Sequence, residues 1–582
     1  MLPGADTSLQ QPHIEADELA AEAGLAGAGG VEGARTAHGA GARATPIGGR
    51  IAGAALILMA GTVLSRVLGL GRESSIAYLF GAGKDVDAFT IANHVSTIVY
   101  DLLIAGTINA ALVPVFSEYS ADEQQRVEFG RVVSTVLTVA GIFLLLAVGV
   151  LEVFAQPLAG FMSACYSPDT RTAAITMTQW VLPGVFFMGL AGVVMAALYS
   201  LHRFVYPAFN SAVFNLAIIF GAFSLAGVLG VKSLVVGMVA GAAAMLLIQA
   251  PGLRDVPLRP MLDLRHPAVR KIFRLYVPIG LSVVISSAAL IIDRNLASCT
   301  GEGSISAMRF ATTLVQFVLG MVSAAISFAS LPSLSQHFSR GDFEAYKRTL
   351  SAGLRLVMVM ALPATAGLLA LAVPLVDLIF RHGNFNEADR QLTVLALLFY
   401  APGVPFTSID MVLLVAFYAR KNTVTPVLIG VAATGVYLSV ALSTYQTMGM
   451  PGLVLANTLQ LTFHAIATAL LLLRAMRGEG GLRGYGTGET TLKAGGAALV
   501  MAVLSYVLWW WLHLHISGNS LPGQVVLVGV PAGVGGALYL TLIWVMRLPE
   551  LELIMSRVQA VLRRSWGHQP TMPPRSATGD QD

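Results

Sequence analysis

The sequence predicts an all-α polytopic membrane protein with fourteen transmembrane helices, arranged as two parallel six-helix lobes plus two extra C-terminal helices. Three observations predict it. Of 582 residues, 55% are hydrophobic and only 12% are charged, about half the roughly 25% charge of a soluble globular chain. Apolar stretches of about 20 residues or more, enough to cross ~30 Å of hydrocarbon, recur from Arg50 onward. The ~10-residue alternating segments of a membrane barrel are missing, so the backbone must satisfy itself as helix. A soluble enzyme, a nucleic-acid-binding protein and a disulfide-rich secreted domain are thereby excluded. The formal net charge of +4 fits basic cytoplasmic loops. Cys165 and Cys299 are too few for a disulfide framework, and no Cys or His spacing suggests a metal.

Residues 1–48 are rich in Ala and Gly, with scattered acids and no apolar run. They lack the basic start and apolar stretch of a secretory signal and predict a disordered cytoplasmic tail. Spans follow at 51–80, 86–116, 131–157, 172–200, 207–229, 233–251 and 271–298. The remainder lie at 304–335, 348–380, 390–418, 423–445, 451–475, 492–514 and 523–546. Loops after even-numbered spans, with the basic end at Arg547, hold eighteen Lys and Arg; loops after odd-numbered spans hold five. Positive charge stays inside, so the even loops and both termini are expected in the cytoplasm. Trp509, Trp510 and Trp511 then fall near the outer interface, where indoles anchor.

An internal repeat organises the spans. The stretch from Ala111 to Ser117 (ALVPVFS) returns from Ala329 to Ser335 (ASLPSLS) at an offset of 218. Ala197-Leu198-Tyr199 with Val205 and Pro207 returns as Ala416-Phe417-Tyr418 with Val424 and Pro426 at an offset of 219. Each copy lies six spans downstream, so the repeats share orientation and predict parallel lobes, the arrangement of an alternating-access carrier. The expected domains are an N-lobe at 49–251, a cytoplasmic linker at 252–270 and a C-lobe at 271–476. Spans 13 and 14 lie within 477–548, and a cytoplasmic tail occupies 549–582.

Charge inside hydrocarbon marks the candidate site, because an Arg at mid-helix costs about 2.5–3.5 kcal/mol on insertion scales. Arg66 lies near the middle of span 1, and Arg72 follows within two turns, after Gly69 and Gly71. Glu73, Asp101, Asp293, Arg294 and Arg309 are the other charges in or near spans. Two readings compete: internal pairing, such as Arg72 with Glu73 or Arg66 with Asp101, or a cationic cavity between the lobes. A guanidinium fork donates two hydrogen bonds at once and suits phosphate, so the second reading expects an anionic substrate.

Ser65-Arg66-Val67-Leu68-Gly69 with Arg72, Phe80-Gly81-Ala82-Gly83 and Asp87-Ala88-Phe89 resembles the opening of the MurJ/MviN lipid II flippases. These belong to the multidrug/oligosaccharidyl-lipid/polysaccharide exporter superfamily. Further matches are Gly106 with Val113-Pro114, Arg203-Phe204 with Pro207-Ala208, the Leu331–Ser335 stretch, and Phe417-Tyr418-Ala419-Arg420 with Thr425-Pro426-Val427. The resemblance covers roughly residues 50–560. It implies a transporter, not an enzyme, in the bacterial plasma membrane, one that moves undecaprenyl-pyrophosphate-linked cell-wall precursor outward. It also implies a lipid-tail groove at spans 13 and 14. The expected partners are an anionic polyprenyl-pyrophosphate-linked sugar lipid and membrane lipids, with a monomeric protein, no nucleic acid and no cofactor.

By this resemblance Arg66 and Arg72 match cavity arginines of the family, and Arg309 joins them as substrate-binding. Ser65, Asp87, Asp101, Asp293 and Arg294 are expected as cavity or charge-pairing residues. The pattern is incomplete. A family arginine of span 2 maps onto Tyr100 and the acid after it onto Ala105; that of span 8 maps onto Thr313, one turn from Arg309. Asp293 matches the acid of a sodium site in some members. Its span 11 partners are missing from Tyr437-Leu438-Ser439-Val440-Ala441. Asp293 is therefore expected to hold Arg294 or Arg309 and no metal is assigned.

Three other readings compete with this one. A polytopic glycosyl- or acyltransferase would need a catalytic loop, and the interior loops carry no HExxH, GxSxG or Walker-type run. A multidrug antiporter for cations would place acids, not arginines, in its cavity. A flippase for another polyprenyl-pyrophosphate-linked saccharide is the runner-up, because of Tyr100 and Thr313.

Overall fold

The computed structural model describes residues 46–102, 111–120, 126–482, 484–518 and 520–550. Most of both expected tails, together with Ala105 and Gly106, lies outside the described residues. Among the described residues every regular element is a helix. In chain order they are α1 (Pro46–Phe80), α2 (Lys84–Tyr100), α3 (Val113–Ser120), α4 (Arg126–Met162), α5 (Pro168–Ser200) and α6 (Val205–Ala208). Next come α7 (Asn210–Leu229), α8 (Lys232–Gln249), α9 (Pro267–Ser298), α10 (Ser304–Ser339), α11 (Phe343–Ala370) and α12 (Ala372–Phe380). The last are α13 (Glu387–Tyr400), α14 (Val404–Ala419), α15 (Val424–Met448), α16 (Met450–Ala475), α17 (Thr487–His515) and α18 (Leu521–Val545).

Ten helical segments among the described residues are long and apolar enough to cross a membrane. The other four expected spans fall on α1, on α2 with α3, on α9 and on α10. α1, α9 and α10 carry Arg66, Arg72, Glu73, Asp293, Arg294 and Arg309 inside their apolar runs, while α2 and α3 are 17 and 8 residues long, each too short to cross alone.

Local chemistry sets the helix starts. Ser167 caps α5 by accepting from the Thr170 N–H, with Pro168 in the first turn. His266 Nδ1 accepts from the Ala268 N–H at 3.2 Å to open α9, and Asp342 Oδ1 accepts from Ala345 at 2.9 Å to open α11. Each satisfies a backbone donor that the first turn leaves unpaired.

The repeat seen in the sequence is also a repeat of backbone geometry. His202 and Lys421, 219 positions apart, both adopt φ 57° just past a helix end. Arg203 N donates to Leu198 O at 2.8 Å, and Asn422 N donates to Phe417 O at 3.0 Å. This is the same left-handed helix stop, closing on the orphan carbonyls of the last turn. An arginine beside each stop clamps a downstream acid bidentately, from the position after it in the first copy and the position before it in the second: Arg203 on Asp255 and Arg420 on Glu479. Asp255 lies in a loop, and the Arg203 hydrogen bonds pull its carboxyl down to about 2.

The helices gather into two compact units, whose bounds cut across the second half of the chain. The first comprises Met1–Phe317, Val376–Tyr400 and Ala432–Gln460. Within it α7 and α8 approach so closely that a Cβ at Gly221 would stand 2.8 Å from Gly237 Cα. The second comprises Val318–Leu375, Ala401–Val431 and Leu461–Asp582. Its core is built on Leu334, Tyr346, Leu350, Val357, Val412 and Phe417. There α17 and α18 pack beside α11 through Val359, Ala497, Met501 and Tyr539, and the Tyr539 hydroxyl donates to Val359 O at 2.6 Å.

Cys165 and Cys299 form a disulfide, with Cα atoms 4.8 Å apart. Two cysteines make no framework, but folding brings these two together across 134 positions.

Candidate functional site

The first unit contains an open cavity of ≈ 720 Å³. Its lining comes from α1 (Ser65, Arg66, Arg72, Glu73), α2 (Asn93, His94), α7 (Asn215) and, in the second half of the chain, α9 (Arg294) and α10 (Arg309, Thr313). Four arginines and one glutamate face this space, so it is cationic.

α1 reaches the cavity by close approach to α6: a Cβ at Gly61 would stand 2.2 Å from Ala208 O. Beyond it, a polar seam along the cavity ties α1 to α7. Ser65 Oγ donates to Ser211 Oγ at 2.7 Å, and Asn215 Nδ2 donates to Ser65 O at 3.2 Å. Arg72 Nη1 donates to Asn215 Oδ1 at 3.0 Å.

Glu73 is the centre of the charge arrangement, with its side chain 1% exposed. It accepts from Arg72 Nε at 3.1 Å and Nη2 at 2.6 Å, and from Arg309 Nε and Nη2, both at 2.9 Å. Arg309 also donates to Thr90 Oγ1 at 3.2 Å and lies 5.0 Å from the Phe89 ring. One buried carboxylate thus holds two guanidiniums in fixed orientation and leaves a net positive charge. Arg66 differs: it lines the cavity, and among the described residues it forms no ion pair with the protein.

The remaining predicted residues lie around this core. Asp293 accepts from the Tyr437 hydroxyl on α15 and has Arg294 Nε 3.3 Å away. That last pair is close enough for an ion pair but not aligned as a hydrogen bond, because Arg294 Nε has no acceptor. The expected pairing of Asp293 with Arg294 is present, whereas Arg309 turns to Glu73 instead. The Arg66–Asp101 pair does not form, and Asp101 does not line the cavity. Asp87 is fully buried away from the cavity, accepting from Tyr166 Oη, Gly303 N and Ser306 N. Thr313 lines the cavity one turn from Arg309, as its spacing predicts, and Tyr100 does not. Sequence reasoning left out Asn215, Asn93 and His94, polar residues in apolar runs. It gave Glu73 only as a neighbour of Arg72.

Residues 76–528, more than half of the chain, match the family model described as Lipid II flippase MurJ. The chain belongs to the lipid II flippase MurJ family. It is similar to the Lipid II flippase MurJ of Burkholderia cenocepacia, 30% identical over 511 residues, covering 84% of this chain and 97% of that one. It is likewise similar to the Probable lipid II flippase MurJ of Vibrio cholerae, at 28% identity and covering 86% and 98%. A solved structure titled Lipid II flippase MurJ, inward closed conformation, shares the fold with a TM-score of 0.69 at 21% identity, covering 83% of this chain and 98% of that one. An inward-facing multidrug resistance MATE family transporter of the MOP superfamily also shares it, at TM-score 0.61 and 14% identity, covering 73% and 98%. The MurJ match and the MATE likeness share the fold; the arginine-lined cavity is a feature of this chain's own residues.

Proposed function

We propose that this chain is a flippase that carries lipid II from the cytoplasmic to the outer leaflet by alternating access, for cell-wall synthesis. The observation that carries the reading is Arg66, a cavity cation without a protein counter-ion, beside the Arg72–Glu73–Arg309 cluster. Arg66 is exposed to the cavity, so its guanidinium is free to take an anion without giving up a protein partner. Arg66 takes phosphate oxygens in its planar fork, while Arg72 and Arg309, held by Glu73, supply the surrounding positive field. Arg294, beside Asp293, is a further cavity-lining arginine. Fourteen spans, two parallel lobes, both termini in the cytoplasm and a monomeric protein belong to the same reading, supported by the charge asymmetry of the loops and the repeated helix stops. Ser65 and Asp293 hold neighbouring groups in place, and α17 with α18 receives the lipid tail.

Complementation tests it. A bacterium depleted of its own lipid II flippase should grow when it expresses this chain. Purified protein in vesicles should flip lipid II faster than an O-antigen-type lipid on the same polyprenyl carrier. Preference for the second lipid would assign the cavity to another saccharide.

A further inference from the structure

The two cysteines join parts of the chain that a carrier must separate. Cys165 lies in the turn between α4 and α5, and Cys299 follows the last residue of α9. Around the disulfide, the first half of the chain is laced to the second. Cys165 N donates to Ser298 Oγ at 3.4 Å, and Asn295 Nδ2 donates to Phe161 O at 2.6 Å. The Asp87 carboxylate accepts at once from Tyr166 Oη at 2.8 Å and Gly303 N at 2.6 Å. Ala82 N donates to Asp389 Oδ2 at 3.1 Å, and Asn384 N donates to Tyr78 O at 2.9 Å.

All these residues end odd-numbered spans, follow them or lie at the start of the next one, and the charge asymmetry puts that end outside. Hydrogen bonds of this kind contribute about 0.5–3 kcal/mol net each, the larger values at the Asp87 and Asp389 carboxylates, and they are reversible. A disulfide does not open that way. Its compartment is the oxidising one in which disulfides form. Cys165 is exposed and Cys299 partly so, which leaves the bond within reach of a reagent, and exposed disulfides are the labile ones.

We propose that Cys165–Cys299 is a redox modification site whose oxidised form holds the outer end shut and arrests the carrier, and that a dithiol reductant on the outer side releases it. The inference rests on the flippase reading. In release, one thiolate of the dithiol attacks a sulfur of the pair and forms a mixed disulfide, and its second thiol displaces the protein sulfur. Two electrons and two protons end on Cys165 and Cys299, and the reductant leaves as its own disulfide. Closure is the reverse, with a protein disulfide as oxidant.

The test compares the full chain in lipid nanodiscs and vesicles as oxidised protein, as protein treated with dithiothreitol, and as Cys165→Ser/Cys299→Ser. Amide exchange at Ala82, Gly303 and Asn384 should be slow in the oxidised form and faster in the other two. Flipping of fluorescent lipid II should be at least about tenfold slower in the oxidised form, and the double variant should ignore dithiothreitol. Equal exchange and equal flipping in all three forms would overturn the proposal. So would free thiols in protein purified without reductant. Exchange that responds to reduction while no form flips lipid II would leave the latch standing and remove the flippase reading.

Discussion

Arg309 on α10 grips Glu73 on α1 across 236 positions, with Nε and Nη2 each 2.9 Å from a carboxylate oxygen. Arg72 holds the same carboxylate from its own helix. The cluster is buried, so removing its one negative charge leaves two guanidiniums facing each other without compensation. Breaking a buried pair this way typically costs about 3–5 kcal/mol. Glu73→Gln should therefore lower the melting temperature of purified protein by several degrees and reduce flipping, and Glu73→Asp should recover part of both. A Glu73→Gln protein as stable as wild type would show that the cluster does not hold α1 to α10.

Arg66 separates binding from stability. It has no ion pair among the described residues to lose, so Arg66→Ala should abolish flipping and complementation while the melting temperature stays within about a degree of wild type. Arg72→Ala and Arg309→Ala should lose transport and stability together. Full complementation by Arg66→Ala would remove the anion-site assignment.

Asp293 is already engaged, by the Tyr437 hydroxyl and by Arg294. A sodium ion there would need several oxygen ligands in place of these contacts. Outward movement of an anionic headgroup is instead favoured by an inside-negative potential, at ~2.3 kcal/mol per charge per 100 mV. Replacing sodium with choline at fixed potential in proteoliposomes should leave flipping unchanged, and collapsing the potential should slow it. Loss of activity in choline, restored by sodium alone, would return Asp293 to the role of ion ligand.

The Arg203 clamp on Asp255 gives a pH signature with a definite sign. The carboxyl is drawn down to about 2 in the folded chain, first by its hydrogen bonds to Arg203, from an ordinary value of 3.8. A depressed carboxyl contributes stability above its unfolded value and loses it as pH falls through the folded one. Asp255→Asn should therefore lower the melting temperature at pH 5 to 8 by a constant amount. The gap from wild type should narrow below pH 4 and close near pH 2, as thermal melts across that range would show.

Topology is open to labelling in a Cys165→Ser/Cys299→Ser background. Cysteines introduced at Ser517 and Gly486 lie on opposite sides of span 13, so an impermeant maleimide should reach Ser517→Cys from outside and Gly486→Cys only after lysis. Labelling of both from one side would remove the fourteen-span reading.

The sequence by itself determined the helical class, the places of the helices and the repeat, because hydropathy and chain stops are local properties of 20-residue windows. The left-handed stops at His202 and Lys421 lie just after the repeated stretches Ala197-Leu198-Tyr199 and Ala416-Phe417-Tyr418. It also marked Arg66, Arg72 and Arg309, because charge inside an apolar run is visible without knowing its surroundings. Partnership was not visible. Glu73 had Arg72 beside it in the chain, yet its second partner lies 236 positions away. Asp293 finds Tyr437 144 positions away, and Cys165 finds Cys299 134 positions away. Such pairings depend on which helix faces pack together, and that is set by the contacts of whole helices rather than by any one stretch of sequence. The tertiary structure alone therefore decided which arginines are neutralised, which one faces the cavity with no counter-ion, and where a single covalent bond crosses the halves of the chain.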